Sequence, residues 1–80
     1  MSKTPARIRI EAGFHSIEAM VRDTKGKMDI GAVSRYESGK LNVIQEDTLI
    51  NWKRIALTCG VRFEVYRAAV LDQRERVLKK

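Results

Sequence analysis

Apolar residues recur at helical spacing along the chain, in stretches that glycines and polar runs separate. A first helix is predicted to start at Thr4 and Pro5, because Thr can cap free backbone amides and Pro at the first helical position has no amide to lose. This helix should end near Ala12, where Gly13 supplies a left-handed stop. A second, short helix should follow its N-cap Ser16, with an apolar stripe made of Ile17, Met20 and Val21.

The polar run at residues 23–27 has no apolar periodicity and contains a glycine, so it is predicted to be a turn or a loop. A third helix is predicted within residues 28–40, after the capping candidate Asp29. Val33 and Tyr36 lie three residues apart on its apolar side, and Gly39 should end it.

Two further helices are predicted in the second half of the chain. After a linker at residues 40–45, a fourth helix should run to Gly60, with the stripe Leu49, Trp52, Ile55, Ala56 and Cys59. A fifth helix should carry Phe63, Tyr66, Ala69 and Val70, and the charged tail at residues 72–80 is expected to fray. A short strand at residues 62–66, where charged and apolar residues alternate, is the alternative. These patterns predict an all-α, five-helix fold in one domain spanning residues 1–80, with its core in residues 4–71.

Length and charge narrow the class of protein. Eighty residues suffice for one core of marginal stability, so a homodimer that enlarges the buried surface is expected. Sixteen Lys and Arg stand against ten Asp and Glu, and the formal charge of +6 favours a polyanionic partner.

Cys59 is the single cysteine, which excludes an intramolecular disulfide and is typical of a reducing cytoplasm. No apolar run approaches the roughly 20 residues that cross a bilayer, so we expect a cytoplasmic protein without a membrane partner.

No group of residues in the sequence indicates an enzyme. His15 is the only histidine, and no Asp or Cys stands at metal-ligand or catalytic-triad spacing from it. Gly26 and Lys27 lack the remaining residues of a phosphate-binding loop. We therefore expect no cofactor, no metal and no small-molecule substrate. Trp52 and Tyr66 could stack on nucleobases, but both lie on apolar helical stripes, which favours the core.

Two groups of residues form a pattern that points to a function. Arg9 is followed four residues later by Gly13 and then by the apolar Phe14. The third predicted helix ends in Ser34-Arg35-Tyr36-Glu37-Ser38-Gly39-Lys40. In this order and spacing the two groups resemble the Xre family of helix-turn-helix domains, the type found in Cro and phage repressors, over about residues 6–66. The resemblance implies a lambda-repressor-like fold whose third helix enters the major groove of double-stranded DNA. The run at residues 23–27 departs from the usually tight turn of that family.

The resemblance also implies which residues contact DNA. The base-reading positions carry over to Ile30, Gly31, Ala32, Ser34 and Arg35. Arg35 is the strongest candidate, because its guanidinium can bond to both N7 and O6 of guanine. The first turn of the helix lacks the polar side chains that the family often has there, so it either touches thymine methyl groups or leaves specificity to DNA shape and Arg35. Phosphate contacts are expected from Ser16, Lys25, Lys27 and Lys40.

Two further contacts are expected, one inside the chain and one between copies. Glu37 on a DNA-facing helix would repel phosphate unless its charge is neutralised. In the resembling family the arginine of the first helix pairs with this glutamate, which implies a structural salt bridge between Arg9 and Glu37. A dimer should form through the last helices, with the self-contact residues Phe63, Tyr66, Val70 and Leu71.

The function implied is a sequence-specific transcriptional regulator, a repressor of the phage or prophage type that binds an inverted-repeat operator as a dimer. A restriction controller or an antitoxin with the same domain is an alternative context. A different class of function is a protein-interaction module that uses the apolar residues Ile30 and Ala32 against a protein.

Overall fold

The computed structural model describes residues 3–24, 28–41 and 44–78 of the chain. These ranges contain five helices: α1 (Pro5–Glu11), α2 (Ile17–Asp23), α3 (Ile30–Ser38), α4 (Glu46–Cys59) and α5 (Phe63–Leu78). No strand occurs within the described ranges, and residues 63–66 belong to α5. The all-α prediction is therefore confirmed, and the alternative strand at residues 62–66 is wrong.

Local side-chain chemistry accounts for where the first helices begin. Thr4 is the N-cap of α1, where its hydroxyl accepts a hydrogen bond from the Arg7 amide at 3.2 Å, and Pro5 follows as the first helical residue. Ser16 is the N-cap of α2, and its hydroxyl accepts from the Ala19 amide at 3.1 Å. Asp29 occupies the same position before α3, but its side chain makes no capping hydrogen bond. The predicted starts of all three helices are confirmed.

The core lies where all five helices meet, around Trp52, which is 0 % exposed. The ring of Tyr36 packs edge-on against Trp52 with centroids 5.9 Å apart, and the Asn51 side-chain amide donates to the Tyr36 hydroxyl at 3.1 Å. Tyr66 is equally enclosed, so Trp52 and Tyr66 are core residues and not exposed stacking platforms. The other buried apolar side chains are Ile8, Met20, Val21, Met28, Val33, Leu41, Ile55, Ala56, Ala69 and Val70.

The charge-rich end of the chain is helical through Leu78, so the expected fraying of residues 72–80 is wrong for residues 72–78. Gln73 and Val77 continue the helical spacing of the buried stripe, and both lie against Gly39 at the end of α3. On the outside of the helix, Arg76 pairs with Asp72 at 2.9 Å. Glu75 and Arg76 are thus exposed, Asp72 and Arg74 are half-buried, and the side of the helix with Gln73 packs on α3.

The expected self-contact residues divide into two groups. Tyr66 and Val70 are 1 % and 0 % exposed within a single chain, so they cannot form a surface for a second copy, and this part of the prediction is wrong. Phe63 and Leu71 are half-buried and pack against the core. None of the described helices is both long enough and apolar enough to cross a membrane.

Gly39 is required at its position by two independent constraints. It ends α3 with a left-handed backbone, φ +79°, and a Cβ there would lie 2.7 Å from the Gln73 carbonyl oxygen. Gly60 ends α4 with a similar φ of +71°, yet a Cβ there would meet nothing within 4 Å. A side chain at Gly60 would therefore meet only the cost of the left-handed backbone, whereas a side chain at Gly39 would also crowd α5.

Alanine substitution at these glycines should destabilise the protein unequally. We expect Gly60→Ala to lower the free energy of unfolding by about 1–2 kcal/mol, the cost of a left-handed conformation for an L-residue. Gly39→Ala should lose about 1–3 kcal/mol more, because the methyl group overlaps the backbone of α5. Urea denaturation monitored by the Trp52 fluorescence measures both losses, and equal losses would contradict the close packing of α5 on Gly39.

Cys59 lies at the end of α4, half-buried beside a groove of about 640 Å³ between α1 and α5. Its thiol approaches the Met20 sulfur at 3.7 Å. Burial raises the pKa of the Cys59 thiol to about 11, and the nearby Glu37 carboxylate acts in the same direction. Cys59 is thus a protonated thiol around neutral pH.

The raised pKa of Cys59 should make the thiol slow to react. At pH 8 we expect iodoacetamide to alkylate the folded protein about ten- to a hundredfold more slowly than the urea-unfolded protein, because only the thiolate attacks. The rate should keep rising above pH 9, where an ordinary thiol levels off. Mass spectrometry of timed samples measures the rates; a rate equal to that of the unfolded chain would contradict the burial of this thiol.

Candidate nucleic-acid interface

Arg9 connects three parts of the chain through one guanidinium group. Its Nε donates to Glu37 Oε2 at 2.9 Å, and its Nη2 donates to Glu37 Oε1 at 3.2 Å. Its Nη1 donates to the Phe14 carbonyl oxygen at 2.9 Å. The Arg9 and Glu37 side chains are only 11 % and 10 % exposed. The salt bridge expected between Arg9 and Glu37 is therefore present, and it joins α1, the α1–α2 turn and α3.

This pair determines how α3 is rotated about its own axis. Glu37 belongs to the same inward side as Val33 and Tyr36, which are 0 % and 3 % exposed. A bidentate contact between two planar groups tolerates little rotation, so the inward side is held by charge as well as by apolar packing. The negative charge of Glu37 is neutralised inside the protein and does not face outward.

The opposite side of α3 is exposed and contains four of the five residues expected to read bases: Ile30, Gly31, Ser34 and Arg35. Ile30 retains 45 % of its surface although it is apolar. Ala32, the fifth, is half-buried and packs against the core, which places it at the edge of this side. The base contacts of all five residues stay predictions.

Around Gly31 the structure brings together two charged groups that helix spacing alone does not pair. A Cβ built on Gly31 would lie 3.2 Å from Asp29 Oδ2 and 3.7 Å from Arg35 Nη1. The Arg35 side chain therefore extends back along the helix towards its first turn, as long helical side chains do. Sequence reasoning considered Asp29 only as a cap, because six residues separate it from Arg35. Gly31, an unfavourable residue within a helix, is the sequence feature that could have indicated this arrangement.

The residues expected to contact phosphate lie in different parts of the chain. Ser16 is exposed, but its hydroxyl is used as the N-cap of α2. Lys40 is exposed directly after the end of α3. Lys25 and Lys27 lie outside the described residues. The phosphate contacts of all four stay predictions.

Comparison of the chain with protein-family models, with curated proteins and with solved structures finds no match.

The Arg9–Glu37 pair should be strongly coupled. Arg9→Gln and Glu37→Gln should each lower the free energy of unfolding by about 3–5 kcal/mol, because each leaves a charge buried without its partner. The double variant should lose less than the sum, by a coupling of up to about 3 kcal/mol. Denaturant titration of the four proteins completes the double-mutant cycle.

The matched control is the salt bridge between Arg7 and Glu11. Its atoms lie 3.0 Å apart, but its side chains are 70 % and 40 % exposed. The same cycle there should give a coupling below about 0.5 kcal/mol, since solvent screens exposed pairs. Equal couplings at the two sites would contradict the bracing role assigned to Arg9.

Proposed function

We propose that this protein is a sequence-specific DNA-binding regulator of the Xre type, with a lambda-repressor-like helix-turn-helix fold in which α3 enters the major groove. The observation that carries the proposal is the division of α3 into two sides. One side is held through Glu37 and the buried Arg9, while the other exposes Ser34 and Arg35. A helix that reads DNA needs both, since base contacts require a fixed orientation and free side chains.

Arg35 supplies the chemistry of base recognition in this proposal. An α-helix fits the major groove, where guanine presents the two acceptors N7 and O6 to a guanidinium. Arg35 is exposed and extends towards the first turn of α3, the end that approaches base edges in helix-turn-helix proteins. Ser34 provides a hydroxyl beside it that can bond to more than one base.

The charge of the chain supports binding to a polyanion. The formal charge is +6, and Lys40 extends the basic character past the end of α3. Glu37, which would oppose phosphate, is withdrawn into its pair with Arg9. Binding as a dimer to an inverted repeat, as a repressor does, belongs to the proposal. Its interface uses residues other than the buried Tyr66 and Val70.

The exposure of Ile30 favours a second candidate function, a protein-interaction module. An apolar side chain with 45 % of its surface exposed in the first turn of α3 suits a protein partner as well as a thymine methyl group. A module of this kind has no need of DNA. It therefore predicts no DNA binding even at low salt, which separates the two candidates.

The proposal is tested by selecting a binding sequence from a randomised pool of DNA duplexes and titrating it with protein at two salt concentrations. We expect enrichment of a defined sequence and an affinity that falls steeply with salt, because phosphate contacts release counterions. Arg35→Ala should weaken binding to the selected duplex about 5- to 150-fold, the contribution of one bidentate guanine contact.

The matched control is Arg67→Ala, which removes the same charge from an exposed position of α5. It should change the affinities for selected and random duplexes by the same small factor. Failure to enrich any sequence, or equal effects of the two substitutions on the selected duplex, would contradict the assignment of α3 as the reading helix.

A further inference from the structure

Asp29 is the N-cap residue of α3, but its side chain does not cap the helix. Asp is among the favoured N-cap residues, because its carboxylate can accept hydrogen bonds from the first free amides of a helix. Thr4 and Ser16 make such bonds, whereas the Asp29 side chain makes none. The carboxylate instead lies beside Gly31, on the exposed side of α3.

The Arg35 guanidinium lies next to the same point. Asp29 Oδ2 is 3.2 Å and Arg35 Nη1 is 3.7 Å from the place that a Gly31 Cβ would occupy. Among the described residues, neither side chain has a hydrogen bond or an ion pair of its own. An acidic acceptor and a five-donor cation thus share the space above a residue without a side chain.

Gly31 keeps that space open. In a helix, glycine is less favourable than alanine, so its presence calls for a reason. An alanine methyl group would stand in ordinary contact with Arg35 Nη1 but in tight contact with Asp29 Oδ2, which would have to shift by a few tenths of an ångström. A glycine at position 31 therefore leaves the carboxylate room beside the guanidinium that a methyl group would narrow.

We propose that Asp29 is a positioning residue for Arg35, and that together they determine specificity for guanine. This proposal rests on the proposed function. A guanidinium that bonds to N7 and O6 of guanine uses two N–H groups and leaves three turned away from the base. The Asp29 carboxylate accepts from that remaining edge, across the space that Gly31 leaves open, and restricts the rotamers of Arg35 to those that meet guanine in the plane of the base pair.

The test compares the affinity for the selected duplex with that for a duplex in which the guanine contacted by Arg35 is replaced by adenine. Arg35→Ala identifies that guanine, as the position at which it abolishes discrimination. Asp29→Asn should reduce the guanine-to-adenine preference at least about fivefold, while binding to random duplexes stays equal or becomes tighter through the loss of a negative charge. Asn is an equally good N-cap residue, so α3 should fold normally.

Two controls separate positioning from a general electrostatic effect. Asp47→Asn removes a charge from an exposed Asp in the first turn of α4 and should leave the preference for guanine unchanged. In the Arg35→Ala background, Asp29→Asn should have no further effect on the preference, because the group it positions is gone. Thermal unfolding of each variant verifies that the fold is retained.

The possible results distinguish this proposal from the function on which it rests. If the wild-type protein enriches no duplex, both are overturned. If it selects a sequence and Arg35→Ala abolishes a guanine preference that Asp29→Asn leaves intact, Asp29 is not a positioning residue and the proposed function stands. If Asp29→Asn instead abolishes a preference for a neighbouring cytosine, the positioning role of Asp29 is also overturned. A carboxylate can accept a hydrogen bond directly from cytosine N4, so Asp29 would then read a base itself.

Discussion

The three-way contact of Arg9 is the interaction on which the arrangement of the helices depends. One guanidinium bonds both oxygens of Glu37 and the Phe14 carbonyl, and so connects α1, the α1–α2 turn and α3. In water such a pair contributes little, because solvent screens it and the side chains lose freedom. Here both side chains are almost enclosed, so loss of either one leaves a buried charge or an unbonded carbonyl. The contact therefore specifies one orientation of α3.

A second constraint acts on the same end of α3. Gly39 turns the chain out of the helix, and the backbone of α5 packs so closely there that no other residue fits without displacement. Glu37 in the last turn of α3 and the C-cap Gly39 lie at the same end, whereas Ile30 and Gly31 in the first turn remain exposed. One end of the helix is held from two sides, and the other end is presented to solvent with Asp29 and Arg35 nearby. That asymmetry suits a helix whose first turns contact a ligand.

Much of the fold followed from short-range rules. The caps Thr4 and Ser16 and the stops Gly39 and Gly60 act within one helical turn, so the residues at each helix end suffice to predict them. The exposure of Ser34 and Arg35 followed from the positions of Val33 and Tyr36, because the period of a helix places them on opposite sides. Ala32 lies between these sides and is half-buried, because an alanine at the edge of a stripe suits either environment.

The sequence by itself determined the number and the type of the helices and the inward stripes, and its family resemblance implied the pairing of Arg9 with Glu37. Only the tertiary structure decided that residues 72–78 are helical, that Tyr66 and Val70 are enclosed, and that Asp29 shares the space above Gly31 with Arg35. The physical reason is the distance along the chain over which each kind of interaction acts. Capping and periodicity depend on neighbours along the chain, whereas the stability of a charged last helix and the direction of an exposed carboxylate depend on surfaces brought together by packing.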